Sequence, residues 1–459
     1  MHYHFIGIGG VGMGPLALLM LKKGCTVSGS DLKAGAWTDK LRQAGAQIHL
    51  GHDRLNVGQA DHVVYSSAIP ADNPEFQEAL KRGIPLLKRA QLLAAFVNEK
   101  KGITIAGAHG KTTTSCMIAH ILLNEGLRPT TAIGGLIHKS TEQAYLGEGP
   151  YVVAETDESD GSFLYFHPYY AVITNIDFEH VDYYHTWENI LKAYRQFMEQ
   201  TKSDGHLLIN GDDVRLRALA QQTGRKFLSF GLTKENDLYA DQIRWDGFSV
   251  HFHCRYQRKA LGWVTLRNLP GEHNVRNALG SIGLGLMVEI PFDRMGQHLK
   301  CYPGVKRRFE AKGYIRDILI IDDYGHHPAE ILTTLKTAQI LRPRRVITIF
   351  QPHRYSRTQY LLNELAQSLT LSDCLIVTDI YAANEIPIPG VTAEHLVERI
   401  LKFKRMRVTY LKKEAILPHL KEMVQSGDLV LTLGAGDIYR IGEKLVEELT
   451  LEEILQTTH

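Results

Sequence analysis

Cysteine is scarce. Cys25, Cys116, Cys254, Cys301 and Cys374 are odd in number, widely spaced and without a C-x-x-C pair in 459 residues. That spacing excludes a disulfide framework and a thiolate zinc site, and it points to a reducing compartment. An excess of either charge is also missing. Lys and Arg number 52 against 50 Asp and Glu, for a formal net charge of +2, and there is no basic block or stripe. Neither nucleic acid nor an anionic membrane is therefore expected as a partner. Long apolar runs are absent too: the best candidate, 5–21, is interrupted by glycines and has no positively charged segment before it. It reads as strand, glycine loop and helix rather than as a signal or membrane segment. No fixed-period repeat or low-complexity tract occurs, which leaves out a solenoid. The remaining composition, 44% hydrophobic and 22% charged, is ordinary for a folded chain. The expectation is a cytoplasmic multidomain α/β protein with small-molecule sites.

At roughly 150 residues per domain, the length suggests three domains. Apolar, β-rich runs that stop at glycine loops opening helical patterns support this. The first is a strand over 2–8, the loop Gly9-Gly10-Val11-Gly12-Met13-Gly14 and a helix over 15–23, where Pro15 suits a first turn. The second is a strand over 103–106, the loop from Gly107 to Thr113 and a helix to about Asn124. The third gathers strands over 318–321, 346–350, 374–378 and 429–433, with helices such as 329–340 and 360–369 between them. Strands alternating with helices imply parallel sheets with crossover helices. The stretch 237–266 departs from that alternation and reads as several short strands forming an antiparallel patch. Boundaries fall near 100 and 305, giving domains 1–100, 101–305 and 306–459.

Gly107-Ala108-His109-Gly110-Lys111-Thr112 carries the most specific chemistry. Glycines let backbone N–H groups turn in around phosphate oxygens, and the next helix adds its positive N-terminus. Lys111 reaches terminal phosphates and the Thr112 hydroxyl can ligate Mg²⁺. Ile105 stands where the full motif has glycine, and the bland alternative is a strand-to-helix turn with a solvated lysine. The strand over 151–154 then delivers Glu155-Thr156-Asp157-Glu158-Ser159-Asp160 to a sheet's carboxyl edge, where α/β sheets bind ligands. Glu155, abutting the strand, is the best metal candidate, whereas Asp157, Glu158 and Asp160 taken singly read equally well as solvated acids. After a strand over 171–176, His180 reads equally as a ligand for Mg²⁺ or Mn²⁺ or as a hydrogen-bonded loop histidine. The Gly7-x-Gly9-Gly10-x-Gly12 loop, with Asp31 19 residues after Gly12, taken alone suggests a dinucleotide and thus an oxidoreductase, although the Lys111 loop has no role in one.

Five segments together resemble, in order, the ATP-dependent Mur ligases of peptidoglycan precursor synthesis. They are Gly107-Ala-His-Gly-Lys-Thr-Thr-Thr114, Glu155-Thr-Asp-Glu-Ser-Asp160, Thr174-Asn-Ile176 with Glu179-His180, Gly271-Glu-His-Asn274 with Asn277, and Arg307-Arg308-Phe309. The likeness runs from about residue 3 to residue 445. Asp322-Asp323-Tyr324-Gly325-His326-His327-Pro328, Gln351-Pro352-His353-Arg354-Tyr355-Ser356-Arg357-Thr358 and the amino-terminal glycine loop are similar to the members that add L-alanine. Ala108, Thr156 and Ile133 depart mildly from the family pattern, and no lysine matches the metal-bridging one of sister ligases.

The resemblance implies a Rossmann-like amino-terminal domain for a UDP-sugar, a central P-loop ATPase domain with a parallel-rich sheet, and a Rossmann-like carboxy-terminal domain for the amino acid. It implies ligation of L-alanine to UDP-N-acetylmuramate with ATP and Mg²⁺ (or Mn²⁺), by a monomer or homodimer. Carried over by motif, Gly107, His109, Gly110, Lys111, Thr112, Thr113, His273, Asn274 and Asn277 would serve ATP, with Thr112, Glu155 and His180 on the metal. Lys111, Glu155, His180, Arg308 and Asp323 would be catalytic, although Asp322-Asp323 read alone is a strand-end cap. Gly9, Gly10, Gly12, Asp31 and Ser67 would take the UDP-sugar, with Lys88 and Arg89 as further contacts. Tyr324, His326, Arg354 and Arg357 would take the amino acid. Arg354 and Arg357, at i and i+3, can converge on one carboxylate, and the alternative is a pair of surface arginines. His327 is read as structural. The nearest rival is the recycling ligase that joins a tripeptide to the same UDP-sugar.

Overall fold

The computed structural model describes residues 1–66, 68–134, 144–383 and 385–457. Among them are three sheets. The first is parallel, built from β1 (His2–Ile6), β2 (Thr26–Asp31), β3 (Gln47–Leu50), β4 (His62–Tyr65) and β5 (Leu86–Lys88) in the order β3-β2-β1-β4-β5. The order turns back at β1, which pairs with β2 on one side and β4 on the other. The glycine loop after β1 therefore opens at the switch point, where a crevice forms between diverging crossovers. The helix Met13–Lys22 follows it directly.

The second sheet comprises β6 (Lys101–Ala106), β7 (Thr130–Ala132), β8 (Ala144–Tyr145), β9 (Tyr151–Glu155), β10 (Tyr170–Ile173), β11 (His206–Asn210), β12 (Phe227–Gly231), β13 (Leu238–Asp246), β14 (Ser249–Tyr256) and β15 (Lys259–Leu266). Its order is β15-β14-β13-β12-β11-β10-β6-β9-β7-β8. From β7 to β13 the neighbouring pairs are parallel, and β8 is antiparallel to β7. The expected short strands over 237–266 are three strands of 8–9 residues at consecutive edge positions. In β14 buried and part-exposed residues alternate, as a half-covered sheet requires.

The third sheet holds β16 (Glu310–Ile315), β17 (Ile318–Asp323), β18 (Arg345–Phe350), β19 (Cys374–Val377), β20 (Arg407–Tyr410) and β21 (Asp428–Leu433) in the order β16-β17-β21-β18-β19-β20. All its pairs are parallel except the edge strand β16. Residues of β18 and β21 alternate between two apolar layers: Val346, Phe350, Leu429, Leu431 and Leu433 line one, and Ile347, Ile349 and Val430 line the other. Burial on both faces explains why these strands read as unbroken apolar runs. The single helix expected over 360–369 is two, Tyr355–Tyr360 and Leu362–Leu369, because Leu361 at φ −105°, ψ 24° leaves the helical region.

The chain divides into two compact units, Met1–Ile243 with His251–Leu266 and Asn274–Pro303, and Arg244–Val250 with Arg267–His273 and Gly304–His459. In the first unit one continuous apolar core runs from Phe5 of β1 with Leu16 and Leu19, through Leu93, Phe96 and Val97, to Val152 of β9 with Phe163 and Phe197. The helix Arg89–Glu99 supplies that bridge. No helix among the described residues is long and apolar enough to cross a membrane.

Candidate active site

Strand β6 pairs with β9 (Ile105 opposite Glu155) and with β10 (Ala106 opposite Ile173), so the loop 107–110 emerges between the ends of two neighbours. Gly107 has φ +131°, and a Cβ there would lie 2.2 Å from Thr174 Oγ1. Gly110 has φ +82°, and its Cβ would lie 2.6 Å from Asn277 Oδ1. Left-handed backbone and close packing together exclude a side chain at either position. The loop is pinned from β10: the His109 amide donates to Asn175 Oδ1 (2.9 Å), and the His109 carbonyl accepts from Thr174 Oγ1 (2.6 Å) and Asn175 Nδ2 (2.9 Å). His109 Nε2 sits 3.2 Å from Asp177. The helix Lys111–Asn124 begins here with Lys111, Thr112 and the buried Thr113, and its first-turn amides favour an anion.

Lys111 Nζ donates to the carbonyls of Gly107 and Ala108 and pairs with Glu158 Oε1 at 2.6 Å. Burial would lower this ammonium, but the charges of Glu158 and Glu155 outweigh it and hold Lys111 above the usual lysine range. Thr112 Oγ1 donates to Glu155 Oε1 (2.8 Å), while Glu155 Oε2 accepts from the Gly134 amide (3.1 Å). His180 takes a left-handed backbone, φ +56°, and lies 3.6 Å from Glu158 Oε1. The donor atoms of Glu158, Glu179 and His180 all lie within 4.8 Å of one another. Carboxylate oxygens, a hydroxyl and one imidazole suit a hard divalent cation, so the donor set fits the magnesium that the resemblance implies.

The helix Glu272–Met287 carries the next predicted set. Asn277 Oδ1 faces Gly110 and accepts from Thr114 Oγ1 at 3.2 Å, and Asn274 Oδ1 lies 3.4 Å from Asn277 Nδ2. Both asparagines are buried. His273 falls in the second unit, where its ring packs against Gly271, whose φ is +100°.

At the first sheet, Gly9, Gly10 and Gly12 line the loop after β1. Asp31 at the end of β2 accepts from the Gly9 amide (2.9 Å) and so braces that loop. The Arg89 side chain lies against Gly12. Ser67 lies outside the described residues.

In the second unit, Asp323 ends β17 and is fully engaged. It accepts from the amides of Phe309 (2.7 Å) and Gly325 (2.8 Å) and from Thr334 Oγ1 (3.1 Å), and burial raises its pKa. The strand-end cap reading thus describes its bonding. Arg307 stacks between Tyr324 and Tyr439 and pairs with the buried Asp322, which burial pushes up to about 6. Arg308 lies over Tyr324 and 3.4 Å from Glu330. Glu330 in turn accepts from the amides of His326 and His327, so its carboxylate caps the helix Pro328–Ile340 at the N-cap residue His327. The His326 ring is 5.6 Å from His353, which stacks on Tyr381, and His353 Nδ1 meets Arg357 Nη1 at 3.0 Å. Burial, with the charges of Arg357 and its neighbours, lowers His326 and His353 to about 4. Arg354 enters the helix Tyr355–Tyr360 from a left-handed φ of +70°. Two neutral imidazoles beside arginines form a polar cluster whose cations suit a carboxylate.

Two residues of these clusters, Glu158 and Tyr381, escape reading from residue type alone. Glu158 looks like any other acid of its loop, and Tyr381 stands in a segment with no motif. Thr174 and Asn175 belong to the Thr174-Asn-Ile176 segment of the resemblance, and the fold adds that their side chains act as struts on the His109 backbone.

Three family models match the chain: "Mur ligase family, catalytic domain" over residues 2–101, "Mur ligase middle domain" over 105–285 and "Mur ligase, glutamate ligase domain" over 307–436. A UDP-N-acetylmuramate--L-alanine ligase from Geotalea uraniireducens (strain Rf4) is 44% identical over 447 residues, 97% of each chain. Among solved structures, the UDP-N-acetylmuramate-alanine ligase of Thermotoga maritima aligns with a TM-score of 0.82 at 28% identity, over 98% of this chain and 100% of that one. A murein peptide ligase from Psychrobacter arcticus aligns with a TM-score of 0.71 at 26% identity, over 98% of each. With models matched along most of its length and a relative 44% identical over 97% of it, the chain belongs to the Mur ligase family.

Proposed function

We propose that this chain joins L-alanine to the lactyl carboxylate of UDP-N-acetylmuramate, driven by ATP hydrolysis to ADP and phosphate, in peptidoglycan precursor synthesis. The observation that carries this reading is the 44% identity, along 97% of the chain, to a relative bearing that name. In this reading residues 1–100 take the UDP-sugar, 101–305 take ATP and 306–459 take the amino acid. The protein works in the cytoplasm as a monomer or homodimer, with no nucleic-acid or membrane partner.

A carboxylate is a poor acyl donor because oxide would have to leave. Transfer of the γ-phosphoryl group turns it into an acyl phosphate, and the alanine amine then expels phosphate through a tetrahedral intermediate. No protein nucleophile is needed, so catalysis rests on alignment and charge. Lys111 and the loop amides of Gly107 and Gly110 hold the phosphates, His109 keeps that loop in place through its bonds to Thr174 and Asn175, and the first turn at Thr113 adds its dipole. Asn274 and Asn277 complete the nucleotide site. Thr112, Glu155 and His180 would hold Mg²⁺ or Mn²⁺, which when bound supplies the positive charge that lets two anions approach. Gly9, Gly10 and Gly12 let the loop approach the UDP diphosphate closely, with the Gly12 amide turned to it, while Asp31 keeps the loop in shape through the Gly9 amide. Arg354 and Arg357 take the alanine carboxylate. The neutral rings of His326 and His353 lie near its ammonium without repelling it, and Arg308 with Tyr324 closes that side.

The test is phosphate release from ATP in the presence of UDP-N-acetylmuramate, with L-alanine, glycine, L-serine or tripeptide as acceptor. Release that depends on L-alanine is expected. Release only with tripeptide would favour the activity suggested by the Psychrobacter arcticus relative's name, and no acceptor-dependent release would sink both readings.

A further inference from the structure

The mechanism above leaves Glu158 without a task, although it is the acid closest to Lys111. We infer that Glu158 is a ligand for the divalent cation and that Lys111 occupies its place until nucleotide draws the lysine away. Two independent observations carry this. The Lys111 ammonium donates to three oxygens, Glu158 Oε1 and the carbonyls of Gly107 and Ala108, the surroundings that a bound cation seeks. Glu158 is only 3% exposed, yet its Oε2 has no hydrogen-bond partner among the described residues. A buried carboxylate oxygen left unmatched is costly, and a second cation would satisfy it. His180 and Glu179 present donor atoms within 4.8 Å of Glu158, and His180 does so from a left-handed backbone conformation that local preference alone would not choose.

The inference rests on the reading of 107–112 as a nucleotide phosphate loop. Phosphate oxygens compete with Glu158 for Lys111, and once the lysine moves to them Glu158 is free to hold the metal. Nucleotide and metal then favour one another's binding by the same factor.

The test is Mn²⁺ affinity of the full-length protein without nucleotide, measured by electron paramagnetic resonance, for wild type, K111M, E158Q and the double variant. K111M is expected to bind Mn²⁺ about tenfold more tightly than wild type, a change of about 1.4 kcal/mol. E158Q should change affinity little, because Lys111 already masks that carboxylate, and in the double variant the gain should vanish. An equal gain in the E158Q background would mean only that a positive charge had been removed, and it would overturn the inference, as would no gain in K111M. Lys111→Gln, checked for folding by circular dichroism, must move affinity in the same direction as K111M. Failure of the functional reading would show instead as absent alanine-dependent phosphate release and would leave this cycle readable.

Discussion

Lys111 stays charged despite burial because Glu158 and Glu155 surround it. Its replacement by alanine removes the cation proposed to meet the nucleotide, and kcat/KM is expected to fall on the order of 100-fold or more; normal turnover of K111A would refute that role. Arg357→Ala should act elsewhere, raising the KM for L-alanine by roughly 10- to 100-fold through the loss of a charge-assisted bond while leaving the KM for ATP unchanged. The imidazoles beside it give a pH prediction. In the folded protein His326 and His353 take up protons only near pH 4, against the ordinary imidazole value of 6.5. The unfolded chain therefore binds more protons between those values, so their contribution to stability is fully present above 6.5 and is lost as pH falls towards 4. Nitrogen-15 NMR of the histidine rings should find both neutral at pH 6, and titration of either near 6.5 would contradict the packing described.

Elements impose a second class of constraint. The turn from β6 into the helix Lys111–Asn124 works only with a residue that tolerates φ +82° and leaves room for Asn277 at position 110. Gly110→Ala should therefore abolish detectable nucleotide binding in calorimetry while the fold persists, since the strain is local. Glu75 ties elements together in the first sheet. This fully buried carboxylate, on the helix Pro74–Arg82, takes Ser30 of β2 and Asn56, with His4 of β1 3.5 Å away. Burial opposes its ionisation, but His4, Ser30 and Asn56 overcome that and bring it to about 2. Its stabilisation is present above the unfolded value of 4.5 and fades as pH falls towards 2. Glu75→Ala leaves those partners buried and unmatched and should cost about 3–5 kcal/mol, read from the urea midpoint.

At the scale of the whole molecule, two compact units with separate apolar cores should melt as two calorimetric transitions. UDP-N-acetylmuramate at about 100 times its Kd should stabilise the unit containing the first two sheets by about 2.7 kcal/mol, leaving the other transition in place. One transition moved as a whole would contradict this division. Much of the molecule was open to reading along the chain. Glycine, lysine and acidic residues of the phosphate loop and of 155–160 stand in short contiguous strings, because backbone turns and helix N-termini use neighbouring residues. The paired apolar layers of the third sheet likewise leave an unbroken apolar signature. Tertiary structure alone decided the rest. Glu158 reaches Lys111 from 47 residues away, and Asn277 meets Thr114 across 163. The last strand, β21, inserts between β17 and β18, and the first two sheets share one core where the chain reads as separate domains. Local periodicity reports which face of an element is apolar, but not which distant element will cover it; that choice belongs to crossovers and packing, where the energy of each contact depends on the whole fold.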